Sequence, residues 1–276
     1  AEHYRWQAEA LLDGADSLKE QIRQAGNAAG RMELRRMEDT MLWTAQNLMG
    51  TYHSLEAEQA AASARAEAQK HLSEKVKDQE MLGSSTSYHS QEAYQKWQSA
   101  LNEYERLKKE QERVRQELLL LTGFSPDSPV VLEKMPLPDV SRAALVNPQE
   151  DRQQALGNNY ELRSGRMGNA GSNQELHKKQ RQTELDENQM FASLETLGNQ
   201  IRSCQAEWEA ACAKEQAQRA VWQSAVRKRE QGTMAEGEYL EIYSQYMEEK
   251  GNQAQASIRF LLAMEEYDWA KKGLMD

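Results

Sequence analysis

Apolar residues recur at alternating spacings of three and four over most of the chain, which predicts long helices that pack along narrow seams. Between residues 31 and 82 the seam positions are Leu34, Met37, Met41, Leu48, Tyr52, Leu55, Ala62, Ala66 and Leu72. Between residues 87 and 122 they are Tyr94, Trp97, Leu101, Tyr104, Leu107, Val114, Leu118 and Leu121. A third seam, between residues 236 and 272, contains Leu240, Tyr243, Met247, Ala254, Ile258, Leu261 and Met264.

Glycine clusters and one proline-rich stretch divide this pattern into six predicted helices. The helices are expected over residues 1–25, 31–82, 87–122, 151–167, 173–231 and 236–272. The glycine breaks fall at residues 26–30, 83–86, 168–171 and 232–234. All five prolines lie between Pro126 and Pro148, so we expect residues 124–141 to form an extended connector, because proline cannot continue a helix.

The same order of elements occurs twice: a short helix, a glycine break, a long helix, a turn and a final helix. The letters repeat as well, since residues 26–34 read GNAAGRMEL and residues 168–176 read GNAGSNQEL. We therefore predict an all-α fold, an elongated antiparallel coiled-coil bundle that forms one domain over residues 1–276. Repeat one covers residues 1–123, the connector residues 124–141, and repeat two residues 142–276.

Charge and hydropathy limit the partners of such a bundle. The chain has 34 basic and 44 acidic residues, a net charge of −10 and a mean hydropathy of −0.90. Nucleic acid is not expected as a partner, because phosphate binding requires concentrated positive charge. No apolar run approaches the roughly 20 residues that a membrane-spanning helix needs, and no signal peptide is visible.

No residue pattern predicts a catalytic or metal site, and we expect neither an enzyme nor a cofactor. The five histidines are scattered, and none is spaced as in a zinc motif. A nucleophile elbow, a phosphate-binding loop and a dinucleotide fingerprint are all missing from the sequence. Cys204 and Cys212 lie on one predicted helix about 12 Å apart, too far to form a disulfide with each other. We expect the tryptophans and methionines to pack between helices.

Several short segments resemble the TolC family of outer-membrane efflux proteins. Residues 118–123 (LLLLTG) and the following Ser125-Pro126-Asp127 resemble the leucine-rich helix end and the proline-containing connector of that family. Residues 82–84 (LGS) resemble its first tip turn, and residues 228–233 (KREQGT) resemble its second. The resemblance extends over nearly the whole chain.

The chain departs from that family at one kind of position. In the family, a pair of membrane β-strands interrupts each repeat between the short and the long helix. The matching places here, residues 26–30 and 168–172, lack a run of about ten alternating apolar residues, which a membrane strand requires. The resemblance is therefore to the helical duct without its barrel strands. A natural variant and an engineered soluble version both fit this pattern.

The resemblance implies a function and an assembly. Three chains would form a helical exit duct of an export machine, located outside the cytoplasm in the cell envelope, with insertion into the outer membrane in doubt. The tip turns would dock an adaptor protein through Leu82, Gly83, Ser84, Gly232 and Thr233. Two acidic residues behind the second turn, Glu238 and Glu241, correspond to the family's acidic ring at the duct entrance.

Simpler interpretations of the same residues stay open. Glycine ends helices whether or not a partner binds there. Glu238 and Glu241 also fit an ordinary solvated helix face. The whole chain also fits a structural coiled-coil scaffold with no transport role, whereas its acidic balance weighs against a membrane-bending module.

Overall fold

Helices are the only regular elements in the computed structural model, which describes residues 14–17, 19, 28–167 and 171–275. They are α1 (Ala28–Met81), α2 (Ser87–Leu121), α3 (Val140–Ala144), α4 (Pro148–Asn158), α5 (Tyr160–Met167), α6 (Asn173–Glu230) and α7 (Glu236–Lys272). The all-α prediction is confirmed for these residues. Apart from residues 14–17 and 19, which are helical, the predicted first helix lies outside the described residues, as do residues 26–27 and 168–170 of the predicted breaks.

The chain folds into two compact units, and each unit contains segments of both predicted repeats. Unit 1 contains Ala1–Met49, Gln116–Gln205 and Arg259–Asp276, and unit 2 contains Gly50–Arg115 and Ala206–Ile258. The four long helices each contribute to both units. The division into two tandem repeats stays a prediction.

Within unit 2, α1 and α7 run antiparallel. Arg65 of α1 donates a hydrogen bond to Glu248 of α7 at 2.9 Å. Further along α1, His71 lies against Gly237, which comes earlier in α7. Because residue numbers rise along one helix as they fall along the other, the predicted antiparallel packing is confirmed for this pair.

Small side chains supply much of the buried surface of unit 2. The buried alanines are Ala62, Ala64, Ala66, Ala93, Ala100, Ala225 and Ala256. They permit close helix approach: the backbone oxygen of Ala57 is 3.3 Å from the point where a Cβ on Gly251 would lie. Unit 2 is therefore held together along narrow seams, as the composition predicts.

Unit 1 contains the larger core. The largest fully buried side chains among the described residues all belong to it: Leu119, Asn159, Leu194, Ile201, Phe260, Met264 and Tyr267. Long aliphatic and aromatic side chains each stabilise a core by roughly 1.5–3 kcal/mol when they are fully buried. Most of these fully buried side chains lie on α6 and α7.

Five buried residues on α2 recur at a seven-residue spacing: Ala93, Ala100, Leu107, Val114 and Leu121. Near the end of the helix Glu117, Leu118 and Leu119 are buried as well. Two predicted seam positions were wrong for the isolated chain, because Leu72 is 44% exposed and Tyr94 is 51% exposed. Next to Leu72 on α1, Ser73 is buried instead, seven positions after the buried Ala66. Leu72 is therefore turned away from the seam.

The predicted connector contains one short helix. Residues 122–139 have no helix, but α3 begins at Val140, inside the range predicted to be extended. The side chain of Asp139 caps it by accepting a hydrogen bond from the backbone N–H of Ser141 at 2.9 Å. Arg142 then donates to Glu265 at 2.7 Å and also to Asp268, which attaches α3 to α7.

The helix predicted over residues 151–167 is interrupted at Asn159. The Oδ1 atom of Asn159 caps α5 by accepting a hydrogen bond from the backbone N–H of Leu162 at 2.9 Å. Its Nδ2 atom donates to the carbonyl of Met275 at 3.0 Å, and Asn158 donates to the carbonyl of Lys271 at 2.9 Å. The two asparagines therefore satisfy carbonyl groups at and beyond the end of α7.

Candidate functional site

The first tip turn, residues 82–86, joins α1 to α2 and is built on Gly83. The N–H of Gly83 donates to the carbonyl of Glu80 at 2.9 Å, and the N–H of Ser84 donates to the carbonyl of Gln79 at 2.8 Å. This pair of bonds is the Schellman motif, which needs a residue of positive φ at the glycine position. Gly83 has φ +75°, a conformation that is costly for residues with a Cβ.

The second tip turn, residues 231–235, joins α6 to α7 and has the same geometry. The N–H of Gly232 donates to the carbonyl of Arg229 at 2.9 Å, and the N–H of Thr233 donates to the carbonyl of Lys228 at 2.9 Å. Gly232 has φ +68°. The two turns therefore match bond for bond.

The side chains that follow the two glycines also match. The hydroxyl of Ser84 donates to the carbonyl of Gln79 at 3.0 Å, and the hydroxyl of Thr233 donates to that of Lys228 at 3.0 Å. In each turn the first helix ends two residues before the glycine and the next begins four residues after it. The short polar residue after glycine therefore locks each turn to the helix before it.

Both tip turns lie at the same end of unit 2. His71, near the end of α1, lies against Gly237, near the start of α7, with its Nδ1 atom 3.2 Å from where a Cβ on Gly237 would be. The first tip turn follows His71 along α1, and the second precedes Gly237. The structure thus brings the predicted docking residues Leu82, Gly83 and Ser84 to the end of the unit that carries Gly232 and Thr233.

The two tip turns differ in surface chemistry. Around the first, Met81, Leu82 and Tyr88 are exposed by 72%, 82% and 72%. The last turn of α6, before the second, is basic and consists of Arg227, Lys228 and Arg229. Met81 and Tyr88 were not among the predicted docking residues, although their position beside a glycine turn is visible in the sequence.

Arg229 is held in place behind the second tip turn. Its guanidinium donates to Glu236 at 2.8 Å and lies 4.2 Å from the centre of the Tyr239 ring. Tyr239 stacks on Tyr243 with ring centres 6.2 Å apart. Burial raises the pKa of Tyr243, and the neighbouring Tyr239 and Glu67 raise it further. These contacts stabilise the start of α7.

Glu238 and Glu241, the predicted ring residues, are both exposed on α7. Neither makes a side-chain hydrogen bond or an ion pair with the residues that the structure describes. Glu238 lies in the first helical turn, where the helix dipole favours a carboxylate. Residues three apart on a helix lie on one face, so one chain presents two carboxylates side by side.

Other chemistry is limited in the described ranges. No group of three or more His, Cys, Asp or Glu residues there could hold a metal ion. None of the described helices has the length and apolar character needed to cross a membrane. Cys204 and Cys212 are not joined in a disulfide.

Comparison with known proteins depends on structure alone. No protein-family model and no curated protein sequence matches the chain. CusC, a protein that forms a transmembrane channel, matches with a TM-score of 0.61 and 12% identity. The match covers 97% of this chain and 91% of that chain. The outer-membrane channel OprN matches with a TM-score of 0.54 and 14% identity over 98% of this chain and 72% of that chain.

A third match comes from Vibrio cholerae. Its outer membrane protein VceC matches with a TM-score of 0.53 and 13% identity, over 90% of this chain and 75% of that chain. Identities this low make the likeness one of fold. The predicted resemblance is confirmed at that level, and the chain has the helical fold of TolC-type outer-membrane channels.

Proposed function

We propose that this chain is a component of an export channel in the cell envelope, and that its two tip turns dock an adaptor protein. The observation that carries the proposal is the matched geometry of the tip turns at one exposed end of unit 2. The fold supports the proposal, because the three structures compared above are outer-membrane proteins or channels.

Matched, glycine-locked turns are suited to docking. Each turn has its backbone fixed by two main-chain bonds and one hydroxyl bond. A preformed loop loses little conformational entropy when a partner binds, so more of the contact energy appears as affinity. The exposed Met81, Leu82 and Tyr88 supply an apolar contact of the kind found at the centre of interfaces.

The proposed working assembly is a homotrimer. Unit 2 leaves Leu72, Tyr94 and Val221 exposed on its long helices, where water covers them in a single chain. Packing against neighbouring copies would bury these apolar groups. In such an assembly Glu238 and Glu241 of each chain would form the acidic entrance ring, which would favour cations.

The first experiment substitutes the tip glycines and one matched glycine elsewhere. Gly83→Trp and Gly232→Trp put a bulky group on the docking surface, whereas Gly123→Trp puts it at a Schellman glycine of unit 1. The three glycines have φ of +75°, +68° and +82°, and none has an atom within 4 Å of a built Cβ. Their backbone strain is therefore comparable, about 1–2 kcal/mol each.

The expected result is that both tip variants lose export in cells carrying the full system, while Gly123→Trp keeps it and all three have similar melting temperatures. A parallel pair avoids backbone strain: Leu82→Glu should lose export and Leu145→Glu should not, at matched exposures of 82% and 81%. Normal export in every tip variant would leave the structural coiled-coil scaffold as the better explanation.

A further inference from the structure

A cavity of about 630 Å³ opens in unit 1 between α1, α6 and α7. Its size is within the range of small-molecule sites in proteins, roughly 300–1,000 Å³. Its walls include Arg36, Trp43, Ala192, Leu197, Glu266 and Trp269. The cavity combines aromatic and aliphatic surface with one carboxylate, and it is separate from the tip turns.

Glu266 is the one carboxylate among the described residues that line this cavity. Its half-buried carboxylate makes no hydrogen bond or ion pair with any residue that the structure describes. Burial raises the pKa of Glu266, because the charged form is deprived of water. The neighbouring Glu265, by contrast, has both carboxylate oxygens engaged, by Arg142 at 2.7 Å and by Gln46 at 3.2 Å.

No basic residue that the structure describes forms an ion pair with Glu266. Arg36 lines the cavity, but its guanidinium lies 3.6 Å from the carboxylate of Glu161. Lys272 lies over the Trp269 ring, with its Nζ atom 4.0 Å from the ring centre. Lys271, the next residue along, pairs with Asp151 at 2.9 Å. Arg36 is therefore paired with a carboxylate that does not line the cavity, whereas Glu266 is paired with no described cation.

The aromatic wall is preorganised. The indole N–H of Trp269 donates to the side-chain oxygen of Gln46 at 2.6 Å, which fixes the orientation of the buried ring. Trp43 lies on α1, three residues before Gln46, and lines the same cavity. Tryptophan is the aromatic side chain that attracts cations most strongly.

We propose that this cavity binds an amphipathic organic cation, whose charged group lies at Glu266 and whose apolar body packs against Trp43, Leu197 and Trp269. A half-buried carboxylate beside aromatic rings favours a cation of low hydration over a metal ion or an anion. This binding site goes beyond the docking function and does not rest on it.

The test measures binding of tetraphenylphosphonium to the full chain by equilibrium dialysis at physiological salt. Tetraphenylborate has nearly the same shape with the opposite charge, and serves as the probe for apolar binding alone. The expected result is saturable binding of one tetraphenylphosphonium per chain, weakened at least tenfold by Glu266→Gln. The matched control is Glu184→Gln, an exposed carboxylate on α6, which should leave binding unchanged.

A second variant tests the cavity with Glu266 intact. Ala192 is exposed at the cavity wall, so Ala192→Trp should fold, with an unchanged circular dichroism spectrum, and should exclude the probe by filling the space. The proposal is overturned if tetraphenylphosphonium does not bind, if Glu266→Gln binds it equally well, or if tetraphenylborate binds with the same affinity. The proposal is also overturned if tetraphenylphosphonium fails to bind because a second copy of the chain covers the cavity.

Discussion

The hydroxyl of Tyr160 shows how single residues hold unit 1 together. It is buried in α5 and donates a hydrogen bond to Asp39 of α1 at 2.7 Å. Burial raises the pKa of Tyr160 to about 12, and the hydrogen bond and charge of Asp39 contribute in the same direction. The protonated phenol is therefore the form that the folded state stabilises.

Tyr160→Phe should lower the free energy of unfolding by about 1–3 kcal/mol at neutral pH, because it removes a hydrogen bond to a charged group. The folded-state pKa is raised, so this contribution is complete below about pH 10 and is lost as pH rises through about 12. Urea unfolding should show the gap between wild type and variant closing over that window.

Tyr88→Phe is the control for Tyr160→Phe, since Tyr88 is 72% exposed and should show no such gap. A gap between wild type and Tyr160→Phe that stays constant up to pH 12 would contradict the assignment of the raised pKa to this contact.

At the scale of elements, the approach of α6 to α4 depends on a buried glycine. A Cβ built on Gly198 would lie 2.8 Å from Cγ of Pro148, which is also buried. The proline ring is rigid, so it cannot move aside as a flexible side chain would. The packing of these two helices therefore requires the absence of a side chain at position 198.

Gly198→Ala should destabilise the protein by about 1–3 kcal/mol, because overpacking outweighs the gain in helix propensity of about 1 kcal/mol. Gly157→Ala in α4 is the matched control, since Gly157 is helical and has no atom within 4 Å of a built Cβ. That control should be neutral or more stable by up to about 1 kcal/mol. Thermal unfolding that ranks Gly198→Ala at or above wild type would refute the packing argument.

At the scale of the whole molecule, assembly is the property that the proposed function needs most. Each chain carries a net charge of −10, so copies repel one another at low ionic strength. At physiological salt the screening length is about 8 Å, and apolar contact between the long helices can then dominate. Light scattering at that salt should give a mass near three times 31.6 kDa, with circular dichroism showing high helicity.

The tip variants Gly83→Trp and Gly232→Trp should keep the mass of the wild type, because the proposed contacts between copies lie along the helices. A helical monomer at every concentration would show that the trimer is wrong for this chain by itself, while leaving its fold intact.

Local sequence signals suffice to place the bounds of the long helices. Apolar spacing is a local signal, and each helix spans enough residues for that signal to be strong. The stops at Gly83, Gly123 and Gly232 were equally local, because glycine adopts a positive φ at low cost. Gly273, which ends α7 in the same way, was not singled out, although the helix end was predicted. The adaptor-docking role of the tip residues came from the family resemblance and stays a proposal.

Tertiary contacts decided the remaining features. The break at Asn159 exists because its side chain reaches the carbonyl of Met275, more than a hundred residues away. Helix α3 is held by the bond from Arg142 to Glu265, and the cavity at Glu266 exists only where three helices meet. Spacing along one helix could not show any of these, because each depends on which distant groups the fold brings within reach of a hydrogen bond, a charge or an aromatic ring.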